Sequence, residues 1–590
     1  MKPAYESDNC REMLATVVRY LERLYPDRDS EMLARDLMRT MELDHECKLP
    51  VPFTNKWDQA NLAVITYGDS IVRPGERPLR TLRKFLVQRL EGIVSTVHIL
   101  PFFPYSSDDG FSVIDYLEVD QRLGDWQDIG AISETFRPMV DLVINHCSAE
   151  SAWFSNYLND QEPGKGYFIE VEPDADVSSV VRPRSTPLLK PVQTVNGVRH
   201  VWCTFSHDQV DLNFSNPEVL RTFVSIIRHY LKHGVKVFRL DAIAFLWKRP
   251  GSNCINLRET HTLVRLLRAL IEYREPDAVI ITETNVPNHE NLAYFGNANE
   301  AHVIYNFSLA PLLLNTMISG NCTHLKAWMM RMPPSRNGTA YLNFLASHDG
   351  IGLRPVEGLL EDDEREQLIH AMRGFGGRVS WRLTENGEEV PYEINISMFD
   401  AMQGTITGGR DEWQVQRFLC AHAIILALEG IPAIYIHSFL ATGNDVQAVE
   451  RTGQLRSINR HKWDADQLDA RLDDDSPHAR VYRGLCALIR IRREQKALHP
   501  NATQFTLQLG PQVFGIWRQS QDRLQNIFAL HNISSVEQVV SLADLNLVIN
   551  QEWVNLVENQ VLADTKMELI LRPYQVVWIC NRLEPDLDDL

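Results

Sequence analysis

The chain has 590 residues, too many for one ordinary domain, so a large central unit with smaller attachments is expected. Apolar residues make up 44% and charged residues 23%, a globular balance without the signature of disorder. A net charge of −18 argues against nucleic acid or an anionic membrane as partner, and any phosphate site must be built locally from Arg or Lys.

Residues 12–25 place Leu14, Val17, Val18, Leu21 and Leu24 at helical spacing, and residues 31–42 repeat the pattern with Leu33, Leu37, Met38 and Met41. This predicts a helical N-terminal extension over 1–58. Two roles fit these helices: packing on the rest of the fold, or building a homodimer interface. The opening MKPAYESDNC carries no apolar core of a signal peptide.

From Leu62 short apolar runs alternate with amphipathic stretches such as 260–273. The runs are 62–68, 94–102, 139–146, 235–243, 278–284, 302–307, 341–349 and 430–436. Eight buried strands with helical connections predict an α/β fold, a (β/α)8 TIM barrel. A doubly wound open sheet is the alternative, but no dinucleotide-binding turn accompanies these strands. The barrel is expected over 59–146, 215–349 and 404–503, interrupted by an inserted domain B at 147–214 and a second insertion at 350–403. Long insertions after barrel strands sit at the catalytic face. Strand-like runs at 513–519, 526–533 and 568–580 predict a C-terminal β domain over 504–590, ending in the acidic tail EPDLDDL. The longest apolar stretch, 421–436, is broken by Glu429, Gly430 and Pro432 and is not a membrane span. Nine scattered cysteines, none in a C-x-x-C pair, argue against a zinc knuckle and fit the reduced thiols of a cytoplasmic protein.

Polar residues stand at the C-terminal ends of these runs, where apolar strands should not carry them: Asn145 and His146, Arg239 and Asp241, Glu283, His348 and Asp349. Barrel strand ends converge on one mouth. Three carboxylates there suit retaining glycoside chemistry, in which one attacks the anomeric carbon and another protonates the leaving oxygen, about 5–5.5 Å away. A third can stabilise developing positive charge. Arg239 shares a strand face with Asp241 and is expected to keep it ionised, with the pKa of Glu283 raised above that of Asp241.

The segments DLVINH, VFRLDAI, ITETN and FLASHDG resemble the four signatures of the α-amylase superfamily, glycoside hydrolase family 13. The resemblance implies Asp241 as nucleophile, Glu283 as acid/base and Asp349 as transition-state stabiliser, with His146, Arg239 and His348 around the sugar. The runs 99–116, 181–189, 200–214, 347–353 and 457–461 are similar to the sucrose phosphorylase-like subfamily. That similarity implies Asp108 and Arg460 on the far glucose hydroxyls, Gln209 in the lining, and no metal or organic cofactor. It also implies Arg184, beside Arg182 and Lys190, as the contact to inorganic phosphate, a co-substrate.

Several positions depart from the sucrose-specific pattern. Asn285 replaces His, Phe245 and Val181 replace two Tyr, and Val390 replaces Asp, while Tyr392 is kept. Residues 1–60, ITETNVP and VPYEINISMFDAM are more similar to the glucosylglycerate phosphorylases. An Arg-bearing pocket that has lost an Asp favours a carboxylate-bearing leaving group. The implied reaction converts a small-molecule α-glucoside, glucosylglycerate, plus phosphate into α-D-glucose 1-phosphate plus D-glycerate, by double displacement through a glucosyl-Asp intermediate. Sucrose, glucosylglycerol and sucrose 6-phosphate remain alternative substrates. A hydrolase or transglycosidase of the same family is the alternative class. A non-catalytic sugar-binding protein would be expected to lack one of the three carboxylates.

Overall fold

The structure is a computed structural model and describes residues 8–44, 47–183, 186–383, 388–545, 547, 552–562, 564 and 567–582. Arg184 and the tail EPDLDDL lie outside the described residues.

Two amphipathic helices open the chain, α1 (Asp8–Leu24) and α2 (Ser30–Thr40), and Asp29 caps the second by accepting from the Met32 N–H. Eight parallel strands follow: β1 (Ala63–Thr66), β2 (Thr96–Ile99), β3 (Arg137–Val143), β4 (Val237–Asp241), β5 (Val279–Thr282), β6 (Val303–Tyr305), β7 (Ala340–Asn343) and β8 (Ile431–Tyr435). They close in sequence order, with β8 pairing β1. The predicted barrel is therefore present, and each predicted run supplies one strand. Their buried, β-branched sequences suit strands covered on both faces.

The strands end earlier than the apolar runs suggest. β3 stops at Val143, and His146–Ser148 forms a separate strand paired with Gln209–Asp211. β7 stops at Asn343, so His348 and Asp349 stand on the loop beyond it. The signature residues occupy the points where the chain leaves the barrel and the ladder can no longer be continued.

Two long helices flank β4: α3 (Pro217–Lys232) precedes it and α4 (Arg258–Arg274) follows it. The N-terminal helices pack on this pair, α1 against α4 and α2 against α3. Tyr25 also donates to the Phe214 carbonyl at 2.8 Å. Of the two roles that fit the extension, packing on the barrel is the one seen.

Segment 147–214 carries a hairpin, Leu189–Thr194 with Gly197–Trp202. Segment 350–403 carries a three-stranded sheet in which Glu389–Asn395 lies between Ile351–Gly352 and Arg378–Leu383. After the barrel a six-stranded antiparallel sheet includes Val513–Gln519, Asn526–Asn532 and Val576–Asn581. The predicted 568–580 strand is two strands, because the chain turns between them with Tyr574 at φ +55°. Among the described residues no helix is long and apolar enough to cross a membrane. The run 421–436 is the end of a helix, Gln414–Ala427, followed by β8.

Candidate active site

β4 sets the floor of the site. Alternation along the strand points Arg239 and Asp241 to one face, and both are buried. Arg239 Nη1 donates to Asp241 Oδ1 at 2.7 Å and also to Asp141, its direct partner in the β3–β4 register. Its Nη2 stands 4.0 Å from Glu283 Oε1. Behind Asp141, His98 Nε2 lies 2.7 Å from Asp141 Oδ2. The guanidinium is flanked by the rings of Tyr305 and Phe111, with centroids at 5.3 and 5.8 Å.

Immediately after Asp241 the backbone turns into the left-handed region at Ala242 (φ +50°). This aims the Ala242 N–H at Glu283 Oε2, 3.0 Å away. A non-glycine residue held there costs about 1–3 kcal/mol, and such strain concentrates at functional sites. Glu283 itself follows the last residue of β5.

Asp349 is held from the opposite side. Arg456 Nη1 lies 2.5 Å from Asp349 Oδ1, while Nε and Nη2 grip Glu393 at 3.0 and 2.7 Å. Asn459 donates to the Asp349 carbonyl at 3.0 Å. The adjacent His348 ring stacks on Phe111, with centroids 4.9 Å apart and planes 5° from parallel.

On the domain-B side, His146 Nε2 stands 2.9 Å from the Phe111 carbonyl and Nδ1 3.1 Å from Asn145 Nδ2. These partners assign the imidazole proton to Nε2. Gln209 Nε2 donates to the same carbonyl at 3.1 Å and reaches Asp108 Oδ2 at 3.5 Å. Lys248 fixes this corner, with Nζ 2.5 Å from Asp211 Oδ2 and 2.6 Å from Asn145 Oδ1. Asp108 and Asp109 both have positive φ, and Gly110 (φ +110°) approaches Pro101 so closely that a Cβ would lie 2.6 Å from its carbonyl oxygen.

The electrostatics of this end follow from burial and pairing. Burial pushes the carboxyls of both Asp241 and Glu283 above their ordinary range; Arg239 opposes the rise in each, and Glu283 adds to it for Asp241. Arg239 was expected to keep Asp241 ionised. Burial nevertheless raises Asp241 well above the usual value, and the guanidinium offsets this only in part because it divides its charge among Asp141, Asp241 and Glu283. The pair retains a proton most readily on Glu283, since the short Arg239 hydrogen bond falls on Asp241. Asp141 is brought down to about 2, against the cost of burial, by Arg239 and His98. Asp349 is held well below the carboxylate range, against burial, first by Arg456. Burial lowers His348 to about 3 and also lowers His146, so both are neutral.

These groups line one cavity of about 750 Å³, with Asp108, His146, Gln209, Arg239, Asp241, Glu283, His348 and Asp349 at its barrel end. Its other end is made by the insertions together with the loops after β4 and β5. Val181 and Phe245 pack with Ala244, Ile255 and Val286 into a small apolar wall. Asn285 lines the cavity, and its buried Oδ1 has no partner among the described residues. Tyr392 lines it too, as do Arg182, Arg354 and Arg382. Arg182 is exposed and donates to the Thr186 carbonyl. Arg382 Nη2 lies 3.3 Å from Glu357 Oε1 and sits opposite Val390 in its hairpin. Arg460 reaches this region indirectly: its Nε donates to the His348 carbonyl at 2.9 Å, it pairs with Asp109, and it lies over Tyr67. Lys190 is tied to the His207 carbonyl at 2.9 Å.

A buried carboxylate pair bridged by an arginine, with a third carboxylate held ionised across the cavity, is equipped for glycosyl transfer. Residues 88–371 match the alpha-amylase catalytic domain family. A glucosylglycerate phosphorylase of Escherichia coli (strain K12) is 43% identical over 529 residues, spanning 89% of this chain and 92% of that one. The chain belongs to the alpha-amylase family, in its glucosylglycerate phosphorylase group. A glucosylglycerate phosphorylase of Allomeiothermus silvanus is 39% identical over 97% of this chain and 99% of its own. Among solved structures, sucrose 6F-phosphate phosphorylase from Thermoanaerobacter thermosaccharolyticum shares the fold, with a TM-score of 0.69 at 24% identity over 80% of this chain and 94% of that one.

Sequence reasoning missed several residues that hold the site. Asp141 and His98 were legible as charged or titratable residues inside otherwise apolar runs. Arg456 stands one helical turn before Arg460, but its two carboxylate partners come from distant segments. Glu393, Arg354 and Arg382 depend on the hairpin register of the second insertion, which periodicity does not reveal.

Proposed function

We propose that this protein is a retaining α-glucoside phosphorylase that converts glucosylglycerate and phosphate into α-D-glucose 1-phosphate and D-glycerate. The observation that carries this reading is a single cavity joining Asp241, Glu283 and Asp349 at one end to an arginine-bearing wall at the other.

Asp241, oriented by Arg239, attacks the anomeric carbon as the bond to the glycerate oxygen breaks. Glu283 gives its proton to that oxygen, so glycerate leaves as the alcohol and glucose remains as an ester on Asp241. A phosphate oxygen then attacks the same carbon from the side glycerate vacated, returning a proton to Glu283 and freeing Asp241. Two inversions give net retention. Asp349, kept anionic by Arg456, stabilises the positive charge that develops on the sugar. His146, Gln209, His348 and Asp108 offer hydrogen bonds to the glucose hydroxyls, and Arg460 braces the His348 end. Phosphate is a co-substrate, and the steps call for no metal or organic cofactor. The nine cysteines are free and buried, which fits a cytoplasmic setting.

The direct test measures phosphate release from α-glucose 1-phosphate with D-glycerate, fructose, glycerol or fructose 6-phosphate. Rapid release with D-glycerate is expected. Release without acceptor, matched by free glucose, would mean a hydrolase, and preference for fructose would mean a sucrose phosphorylase.

A further inference from the structure

The wall of the cavity opposite the catalytic carboxylates has a charge surplus. Of the three arginines at this end, Arg182 donates to the Thr186 carbonyl and Arg382 is paired with the partly exposed Glu357. The Arg354 side chain has no hydrogen-bond or ion-pair partner among the described residues. Arg354 and Arg382 belong to one small unit: Arg354 follows the strand Ile351–Gly352, and Arg382 lies in Arg378–Leu383 of the same three-stranded sheet. The Leu353 N–H donates to the Tyr392 carbonyl at 3.0 Å, which ties Arg354's segment to the central strand. That central strand carries Glu393, and through Glu393 and Arg456 it is locked to Asp349. The segments that carry the two guanidiniums are thus tied to a sheet that is itself anchored to the reaction centre. Nearby, the buried Asn285 Oδ1 awaits a donor, and Gly352 lets the chain pass close, its Cβ position only 3.4 Å from Asn285 Nδ2.

We infer that Arg354 and Arg382 form the binding site for the carboxylate of the leaving group, with Asn285 Oδ1 accepting from one of its hydroxyls. This rests on the glucosylglycerate reading above and assigns its acceptor specificity to the second insertion rather than to the Arg182–Arg184 run. Guanidinium pairs suit a carboxylate because each presents a planar fork of donors. Val390, opposite Arg382, removes the negative charge that would compete there. Glu357 is the resident counter-ion, which the arriving carboxylate displaces or shares.

Glycerate and glycerol differ by this one group, so their ratio as acceptors isolates it. In the synthetic direction, Arg382→Gln and Arg354→Gln are each expected to lower kcat/KM for D-glycerate about 10- to 100-fold, and to lower that for glycerol less. Arg382→Lys should keep part of the preference. Glu357→Gln should raise the glycerate-over-glycerol ratio, a gain that misfolding cannot mimic. A wild-type preference for glycerate that survives both glutamine variants would overturn the assignment and leave the functional reading intact. A raised KM for phosphate with an unchanged glycerate ratio would make the pair a phosphate site and overturn it as well. A wild-type enzyme that ignores glycerate would sink the functional reading, and this assignment with it.

Discussion

At the barrel end of the cavity, Asp141, Arg239, Asp241, Asp349 and Arg456 each meet an opposite charge at hydrogen-bonding distance, whereas at the insertion end the Arg354 side chain and Asn285 Oδ1 have no partner among the described residues. The first arrangement holds its geometry without ligand, as groups that must act on a transition state need to be held. The second has groups left over, as expected where the missing partner is a substrate. Barrel strands and the loops after them build the first, and the second insertion brings Arg354 and Arg382 to the second, so chemistry and acceptor choice can change separately.

Substitutions at the barrel end should act on turnover whatever the acceptor. Asp241→Asn is expected to lower kcat by about 10⁵-fold, read as phosphate release from α-glucose 1-phosphate, with the thermal unfolding transition retained. Glu283→Gln should cost less, about 10²–10⁴-fold. Its deficit should be larger for glucosylglycerate than for α-glucose 1-phosphate, because an alkoxide leaving group needs protonation more than phosphate does. Equal deficits would remove Glu283 from the acid role.

Arg456→Met leaves the buried Glu393 without its counter-ion and the half-buried Asp349 without its nearest one. It should destabilise the fold by about 3 kcal/mol, seen as a lower urea midpoint at unchanged slope. It should also raise the Asp349 carboxyl, since Arg456 is what chiefly holds it down. A stable, fully active Arg456→Met would separate the insertion from the barrel end and break the contrast between them.

Acid should destabilise the fold. Burial lowers His348, His302 and His437 to about 3, so each is neutral in the folded state. Once unfolded they take up protons below about pH 6.5, so their contribution is complete above that pH and is lost progressively toward pH 3. Denaturant midpoints should therefore fall between pH 6.5 and 4. A flat profile over that range would count against neutral burial. The smallest effect is expected at the rim: Arg182→Ala, exposed and bound only to a backbone carbonyl, should change kcat/KM for any acceptor by less than about fivefold.

The contrast also explains what the amino-acid order disclosed. The strand with Arg239 and Asp241 was visible because charged residues break an apolar run at its end. Gln209 and Asp108 could be placed at the site by resemblance, and the structure brings both to the cavity. The expectation that Arg239 keeps Asp241 ionised left out burial, the main reason its carboxyl is raised, and Asp141, whose charge competes for Arg239 from the neighbouring strand. Arg354 and Arg382 were invisible because separate segments of the second insertion bring them to one cavity, Arg382 on an irregular strand pairing with a register shift between Ser380 and Trp381. Local periodicity carries no information about such a pairing.

The packing of α1 and α2 on α3 and α4 has a consequence in time. The extension is synthesised first, yet the surface that covers its buried Val17, Leu21, Leu37 and Met38 is complete only when α4 ends at Arg274. At about 5–20 residues per second, a ribosome takes roughly 10–50 s to make the intervening chain. For that interval two amphipathic helices have only each other to cover their apolar faces, an early target for any chaperone working at the tunnel exit.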